Sequence, residues 1–323
     1  MSEPSTSASP AASSSSSAPQ RGNDAQRAHN ARAQHGNFHA YYHIRAAPAV
    51  PDAAVAAASA AAGDPRVPLI LEELQRQRGE RQWPLRLLDV GCNAGKMTFA
   101  LATALPQAEH VLGVDIDAAL ITLAQAQVRR LQRGSAARPP QEPPEAKRAK
   151  HETTPTLQFE PCDWPRARLD LADAERHVQL LSKPPDGVEE DAARRARETQ
   201  VRGKAREVKT LQRVLQQDES GWDCLLALSL TKWVHLQHHD IGLLHFLARL
   251  ASSLRPLGVL VLEAQPWASY EQARRVIGAE GRRRHASLRL RPDDFEWWLA
   301  ALGLEGPQRL GSTAGYGEST FSA

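Results

Sequence analysis

Apolar and polar residues form two kinds of pattern along the middle of this chain. Short continuous apolar runs are typical of strands that are buried on both faces of a parallel sheet. Such runs occur at residues 85–90, 110–114, 224–230 and 258–262. Apolar residues spaced three or four apart predict helices instead. These helices cover residues 96–105, 118–131, 241–254 and 293–302. The order of strand, glycine turn, helix, strand and helix predicts a βαβ unit and therefore a parallel sheet.

Weaker patterns and two inserts complete this plan. Short runs predict further strands at residues 156–159, 285–290 and 308–311. A low-complexity insert covers residues 134–155, and a charged, helix-prone insert covers about 168–217. Residues 1–34 are rich in Ser, Ala and Pro and lack an apolar period, so we expect a disordered tail. The remaining residues, 35–323, are predicted to form one domain.

Composition and charge narrow the class of protein. The chain has 323 residues, and its three cysteines are too few for a disulfide framework and lack metal-ligand spacing. We find no signal-peptide pattern and no apolar run long enough to span a membrane, so we expect a soluble intracellular protein. The formal net charge is only +3, but residues 194–213 hold eight basic and two acidic residues.

The turn after the first strand has the chemistry of a nucleotide-type cofactor site. LDVGCNAG places Gly91 and Gly95 between a strand and a helix, where the backbone can turn tightly and approach a ligand. Asp115 ends the next strand and can accept hydrogen bonds from ribose hydroxyls. The G-x-G-x-x-G pattern of dinucleotide sites is absent. The G-x-x-x-G spacing with a following strand-end acid resembles the S-adenosylmethionine site of class I methyltransferases. A structural turn of another α/β fold stays open as an alternative.

A second chemical feature follows the strand at 224–230. The stretch LSLTKWVHLQHHD presents Lys232, Trp233 and His235 directly after that strand, and we expect His238 and His239 to begin the next helix. In open α/β sheets, ligands bind beyond the carboxyl ends of the strands. The side chains at 232, 233 and 235 are therefore predicted to face the cofactor. Core packing of Trp233 is the alternative.

Several of these elements together resemble the bicoid-interacting family of methylphosphate capping enzymes. The similar pieces are GNFHAYYHIR, LDVGCNAG, GVDID, LSLTKWVHL and LEAQPWASY. The resemblance implies a class I, Rossmann-like methyltransferase with a mostly parallel sheet and helices on both faces. It also implies methyl transfer from S-adenosylmethionine to the terminal (gamma) phosphate of an RNA 5′-triphosphate.

The resemblance further implies the roles of individual residues. Cofactor-binding residues would be Tyr42, Arg66, Gly91, Cys92, Asn93, Gly95, Asp115, Ile116, Asp163, Trp164 and Leu228. Catalytic residues would be Lys232, Trp233, His235 and Arg45, and substrate-binding residues Tyr41, Gln265 and Trp267. Asp163 and Trp164 stand where the family has Asn-Tyr, and Ala264 replaces a proline of the family's L-E-P-Q-P-W element. No metal is implied.

The expected partner is an RNA with a phosphorylated 5′ end, such as a small non-coding RNA, together with RNA-binding proteins. PEAKRAK, at residues 144–150, resembles a nuclear import patch, so we expect a nuclear protein, with the cytoplasm as the alternative, and no membrane association. Three alternatives stay open. They are a 5′-monophosphate RNA methyltransferase, a small-molecule or protein methyltransferase of the same fold, and an RNA-binding scaffold with little turnover.

Overall fold

The computed structural model describes residues 64–79, 84–105, 107–136, 156–183, 190–274, 277–313 and 316–322. Several sequence-based predictions lie outside these residues. They concern the N-terminal tail, Tyr41, Tyr42, Arg45, the basic run at 144–150 and most of the insert at 134–155.

Seven strands form a single sheet. They are β1 (Leu85–Val90), β2 (Ala108–Asp115), β3 (Thr156–Pro161), β4 (Trp222–Leu228), β5 (Leu254–Glu263), β6 (Glu305–Thr313) and β7 (Tyr316–Ser322). Their order across the sheet is β3-β2-β1-β4-β5-β7-β6. The first five strands pair in parallel, and β7 is antiparallel to both β5 and β6. The strand order reverses between β1 and β4, which is where an open α/β sheet forms its ligand crevice.

Helices cover both faces of the sheet. They are α1 (Arg66–Arg78), α2 (Lys96–Ala104), α3 (Ala118–Ala136), α4 (Ala167–Ser182), α5 (Asp191–Glu219), α6 (Thr231–Ser252), α7 (Trp267–Ala273), α8 (Gly278–Ser287) and α9 (Phe295–Ala301). The charged segment predicted to be a helical insert forms α4 and most of α5. None of the helices in the described part of the chain is both long and apolar enough to cross a bilayer.

The central strands bury both of their faces, and alternate residues enter two different cores. Leu88 packs in one core with α5, α6 and α9, whereas Leu87 packs in the other with α1 and α2. In β4, Leu225 packs in the same core as Leu88, and Leu226 packs in the same core as Leu87. This two-sided burial explains why the strands are continuous apolar runs without polar alternation.

The predicted strands were confirmed except at residues 285–290. Residues 156–159 and 308–311 lie within β3 and β6. The strand prediction at 285–290 is wrong, because α8 continues to Ser287. Beyond it, the backbone N–H groups of Arg289 and Leu290 bond to the Asp240 carboxylate at 3.0 and 3.2 Å. A side chain satisfies these donors, so the segment needs no neighbouring strand.

The predicted start of the helix at residue 241 is also wrong. Helix α6 begins at Thr231, and the backbone N–H groups of Trp233 and Val234 bond to the Leu230 carbonyl. His239 then interrupts the helix with φ 58° and ψ −173°. The apolar period restarts after this kink, so the pattern located the second half of the helix and missed the first. Helix α1, helix α7 and strand β7 were not predicted at all.

Candidate active site

A cavity opens at the carboxyl ends of β1, β2 and β4, beside the first turns of α6. Ten residues predicted for the site line it. They are Arg66, Gly91, Cys92, Asn93, Asp115, Ile116, Asp163, Trp164, Leu228 and Trp233. Further lining residues were not predicted. They are Asp89, Val90, Met97, Cys162, Pro165, Ser229, Leu230, Val234, Gln237 and His238. The cavity therefore occupies the crevice that the strand order predicts.

The glycine turn supplies the floor of the cavity. Gly91 has φ 77°, a conformation that favours glycine, and its N–H bonds to the Val114 carbonyl at 2.8 Å. Gly95 has φ 80°, and a Cβ there would lie 2.6 Å from the Phe159 ring. Gly95 was predicted to contact the cofactor, but it does not line the cavity. Its role in this structure is to let the turn pack closely against Phe159.

Asp115 ties the turn to the end of β2. Its carboxylate accepts backbone N–H bonds from Asn93 at 2.8 Å and from Asp117 at 2.9 Å. Burial raises the pKa of Asp115, and the two backbone donors oppose this effect. The carboxylate is thus held in a fixed orientation at the cavity wall, which suits an acceptor for ligand hydroxyl groups.

Asp89 is a second carboxyl group of the cavity wall. It is fully enclosed, accepts a hydrogen bond from the Thr98 hydroxyl at 2.6 Å, and burial raises its pKa to about 6. In the sequence, Asp89 is the acid of LDVG, inside an otherwise apolar strand. It was not predicted as a site residue, because the run was interpreted only as a buried strand.

Arg66 joins the first helix to the far end of β5. Its guanidinium bonds to Asp64 at 2.8 and 2.6 Å, and to Glu263 at 2.8 Å. Glu263 also accepts a hydrogen bond from the Ser229 hydroxyl at 2.9 Å. All three charged groups are buried. This network fixes Arg66 at the edge of the cavity, and Glu263 has the structural role that its position suggested.

The β3 end of the cavity is aromatic. Trp164 is buried, its ring lies under the Arg249 guanidinium at 4.0 Å, and Phe246 meets it edge-on. The Trp164 indole nitrogen has no hydrogen-bond partner within the described part of the chain. Ile116, on the other side, is 42% exposed. These groups provide a flat apolar surface together with a buried donor.

Of the side chains Lys232, Trp233 and His235, which were predicted to face the cofactor, only Trp233 lines the cavity. Lys232 does not line the cavity, but its Nζ lies 4.8 Å from the centre of the Trp233 ring, which does, and 2.7 Å from the Ser269 hydroxyl. Burial lowers the pKa of Lys232 to about 8. The ammonium is therefore half-buried next to the cavity.

His235 does not reach the cavity, which corrects the predicted phosphate contact. The side chain is fully buried, with Nε2 2.7 Å from Asp240 and Nδ1 3.4 Å from the Tyr270 hydroxyl. Burial lowers the pKa of His235, and the Asp240 carboxylate opposes this effect. Because protein groups occupy both ring nitrogens, His235 holds the helix in place and has no nitrogen for a ligand.

Gln265 and Trp267 support the first turn of α6 and do not line the cavity. The Gln265 side chain donates to the Ser229 carbonyl and accepts the Lys232 N–H at 3.3 Å. Trp267 stacks on Tyr270 and lies under the Arg291 guanidinium at 3.9 Å. Direct substrate contacts at 265 and 267 stay predictions, and what the structure shows for both residues is a supporting position beside the cavity.

Comparison with protein families gives two matches along the chain. Residues 87–176 match the model described as a methyltransferase domain, and residues 222–322 match the model of bicoid-interacting protein 3. The first match contains the glycine turn and Asp115. The second contains β4, the Lys232 turn and the C-terminal strands.

Named relatives agree with these matches. A probable RNA methyltransferase of Arabidopsis thaliana is 29% identical over 65% of this chain and 58% of its own length. The 7SK snRNA methylphosphate capping enzyme of Homo sapiens is 31% identical over 67% and 30%. A pre-miRNA 5′-monophosphate methyltransferase of Xenopus laevis is 28% identical over 70% and 69%. This chain thus spans less than two thirds of the Arabidopsis and human proteins.

S-adenosylmethionine is the cofactor of this domain, and the cavity suits it. Asp115 offers an acceptor for the ribose hydroxyls, and Ile116 and Trp164 offer apolar surface for the adenine base. The positively charged Arg66 can attract the carboxylate of the cofactor's methionine part. The parallel sheet, the cavity at its switch point and the two family matches lead to one conclusion: the chain belongs to the bicoid-interacting family of methyltransferases.

Proposed function

We propose that this chain transfers a methyl group from S-adenosylmethionine to a phosphate oxygen at the 5′ end of an RNA. The names of the human and Xenopus relatives support the substrate class, because both describe methylation of an RNA 5′ phosphate. The residues beside the cavity support it independently.

Lys232 is the observation that carries the proposal. Its ammonium is half-buried, and within the described residues no carboxylate lies within ion-pair distance of it. A buried cation without a counter-ion is unfavourable, which is why its pKa falls to about 8. The neighbouring residue, Trp233, lines the cavity. A phosphate group at the mouth of the cavity would supply the missing negative charge, with Trp233 beside it.

We assign cofactor binding to the residues that line the cavity. Asp115 would hold the ribose hydroxyls, Ile116 and Trp164 the adenine, and Arg66 the methionine carboxylate. Gly91, Cys92, Asn93, Asp163 and Leu228 would complete the wall, and Tyr42, outside the described residues, is proposed to bind the cofactor as well. When bound, the cofactor supplies an electrophilic methyl group on a sulfonium.

The protein's task in this reaction is alignment. A phosphate oxygen is already an anion at neutral pH, so it needs no general base to become a nucleophile. We propose that Lys232 and Arg45 hold the other phosphate oxygens, that Trp233 excludes water, and that Tyr41 contacts the substrate. Holding the two reactants in line lowers the entropic part of the barrier, and excluding water strengthens the electrostatic contacts.

The proposed substrate is the gamma phosphate of a 5′-triphosphate, carried by a small non-coding RNA in the nucleus. The Thr-Lys-Trp sequence at residues 231–233 favours the triphosphate, since the triphosphate branch of the family has this tripeptide. The Xenopus relative is named for a 5′-monophosphate, so monophosphate RNA is the second candidate.

The decisive experiment uses one RNA sequence with a 5′-triphosphate, a 5′-monophosphate or a 5′-hydroxyl, together with methyl-labelled cofactor. We expect incorporation into the triphosphate RNA, less into the monophosphate RNA and none into the hydroxyl RNA. Faster labelling of the monophosphate would move the assignment to the second candidate. Tight RNA binding without any labelling would contradict the proposed activity and favour an RNA-binding scaffold.

A further inference from the structure

Helix α5 carries a row of basic side chains along one face. The row, which we call the basic stripe, consists of Arg195, Arg202, Arg206, Lys209 and Arg213. At 3.6 residues per turn, these five positions fall within about 60° around the helix axis and extend over about 27 Å. All five side chains are exposed. No acidic residue between positions 195 and 213, all of which the structure describes, falls within that sector.

The buried face of α5 lies elsewhere on the helix. Its buried residues are Leu211, Val214 and Asp218, which point about 140° away from the basic stripe. They all belong to the last third of the helix. The helix therefore packs against the domain only near its end, and the stripe is not a by-product of core packing.

The rest of α5 extends beyond the edge of the sheet where the cavity opens. Arg213 pairs with Glu160, next to the carboxyl end of β3 at Pro161. The helix then ends beside the start of β4, so it runs antiparallel to the strands. From position 213 back to Asp191 it covers about 33 Å at 1.5 Å per residue. Most of the stripe is thus on a projection above the active-site edge.

Helix α4 stiffens this projection. The Gln212 amide donates to Glu175 at 3.1 Å, and the Arg197 guanidinium donates to the Leu181 carbonyl at 2.9 Å. Together α4 and α5 form an antiparallel hairpin, which we call the arm. Two ion pairs within the arm join residues off the stripe: Arg194 with Asp191 at 2.8 Å and Lys204 with Glu207 at 2.7 Å. Of the stripe residues, Arg213 pairs with Glu160, at the base of the arm.

The stripe itself has few counter-charges. Arg195, Arg202 and Lys209 have no acidic partner within ion-pair distance among the described residues. Arg206 lies differently, since it lines a second cavity beside the active site together with Asp163, Asp170 and Glu207. Asp191 and Glu198 each lie one helical turn from Arg195, and Glu198 lies one turn from Arg202, but neither acid pairs with a stripe residue. Three like charges along one helix face outweigh these two acids, of which Asp191 already pairs with Arg194, and complement an extended polyanion.

We infer that the arm binds the phosphate backbone of the substrate RNA downstream of its 5′ end, through Arg195, Arg202 and Lys209. This inference rests on the proposed function, because it takes the 5′ end to be in the cavity. The stripe leads away from that cavity along the arm. Its contacts are to phosphates and therefore strengthen binding to long RNAs without selecting a base sequence.

The test is a triple substitution, Arg195→Gln, Arg202→Gln and Lys209→Gln. Its matched control is Arg176→Gln, Arg194→Gln and Lys204→Gln, which removes the same charge from paired residues of the same arm. Binding of a fluorescent 5′-triphosphate RNA of about 30 nucleotides is measured against salt. Each lost phosphate contact lowers the slope of log affinity against log salt by about 0.7, so the stripe variant should lose about 2.

Kinetics then separate the arm from the active site. The stripe variant should raise the KM of the long RNA about tenfold or more and leave kcat unchanged. The KM of a 5′-triphosphate trinucleotide should also stay unchanged, because it is too short to reach the arm. The control variant should behave as the unmodified protein in every assay.

Equal loss in the stripe and control variants would overturn the inference, because it would show a response to overall charge. An unchanged salt slope would also overturn it and leave the stripe as a solvated surface or a site for an acidic protein. Failure of the proposed function can be distinguished from failure of this inference. In that case no RNA is methylated, but the salt dependence of RNA binding can still be measured and compared between the variants.

Discussion

At the scale of single residues, Asp115 is the most direct test of cofactor binding. We expect Asp115→Ala to weaken S-adenosylhomocysteine binding by about 1.5–3 kcal/mol, because a charged acceptor is lost from the cavity wall. Calorimetry measures this directly. Glu109→Gln, at the exposed opposite end of the same strand, is the control. Normal affinity in a folded Asp115→Ala protein would mean that other groups hold the ribose.

Asp89 should make the ligand-free protein more stable at acidic pH. Burial raises its folded-state pKa to about 6, above the unfolded value near 3.8. The protonated form is thus favoured by folding, and this stabilisation is lost as the pH rises from about 4 through 6. The difference of about two units corresponds to roughly 3 kcal/mol.

Asp89→Asn checks this account, because asparagine stays neutral and can still accept the Thr98 hydrogen bond. We expect the free energy of unfolding of this variant, measured by urea denaturation, to exceed that of the unmodified protein by about 2–3 kcal/mol at pH 7.5. The two should converge near pH 4. A variant that is less stable at pH 7.5 would show that the ionised carboxylate is stabilised by its surroundings.

Lys232 should make RNA binding dependent on pH. With a pKa of about 8, its ammonium is charged at pH 7 and mostly neutral at pH 9. The 5′ phosphate is already mostly in its dianionic form at pH 7, as its last pKa is near 6. We therefore expect the KM for triphosphate RNA to rise between pH 7 and pH 9. Lys232→Met should raise the KM about ten- to a hundredfold at pH 7 and remove the rise.

The control for this prediction is Lys183→Met, an exposed lysine at the end of α4. It should leave both the KM and its pH dependence unchanged. Binding of S-adenosylhomocysteine should be normal in both variants. A pH-dependent KM that persists in Lys232→Met would mean that another group titrates.

At the scale of elements, Asp240 connects the kink of α6 to the segment after α8. It accepts a hydrogen bond from His235 and backbone N–H bonds from Arg289 and Leu290. We expect Asp240→Ala to lower the free energy of unfolding by about 1–3 kcal/mol, because it leaves the buried His235 donor unpaired. Urea denaturation measures the loss. Asp293→Ala, nearby on the surface, is the control.

The same network positions the first turn of α6, which carries Lys232 and Trp233. We therefore expect Asp240→Ala to raise the KM for RNA more than it weakens cofactor binding. Equal stability of the two alanine variants would show that water replaces the carboxylate at this position.

At the scale of the whole molecule, the arm and the sheet should differ in local stability. Strands β1 and β4 are buried on both faces, whereas no residue of α5 before Leu211 is buried. Regions with few buried contacts open at low free energy. Hydrogen exchange followed by mass spectrometry should therefore show fast exchange over residues 191–205 and slow exchange in both strands. Protection of the arm equal to that of β4 would contradict its description as a projection.

Local chemistry in the sequence was enough to predict much of this protein. The apolar runs, the glycine turn and Asp115 at a strand end are local patterns, because burial on both faces and tight turns leave direct marks on composition. They predicted the parallel sheet and the edge at which the cofactor cavity lies. Together with the family resemblance, they named half of the residues that line it. The Thr-Lys-Trp turn was also located correctly next to that cavity.

Contacts between distant residues were decided only by the tertiary structure. Arg66 meets Glu263 across 197 positions, and β7 pairs between β5 and β6. No local period predicts such pairings. His235 and Lys232, three positions apart, looked like equivalent phosphate ligands. Asp240 and Tyr270 bury the first side chain, whereas no carboxylate meets the second within the described residues. Which of two neighbouring polar residues is available to a ligand depends on what the fold packs against each of them.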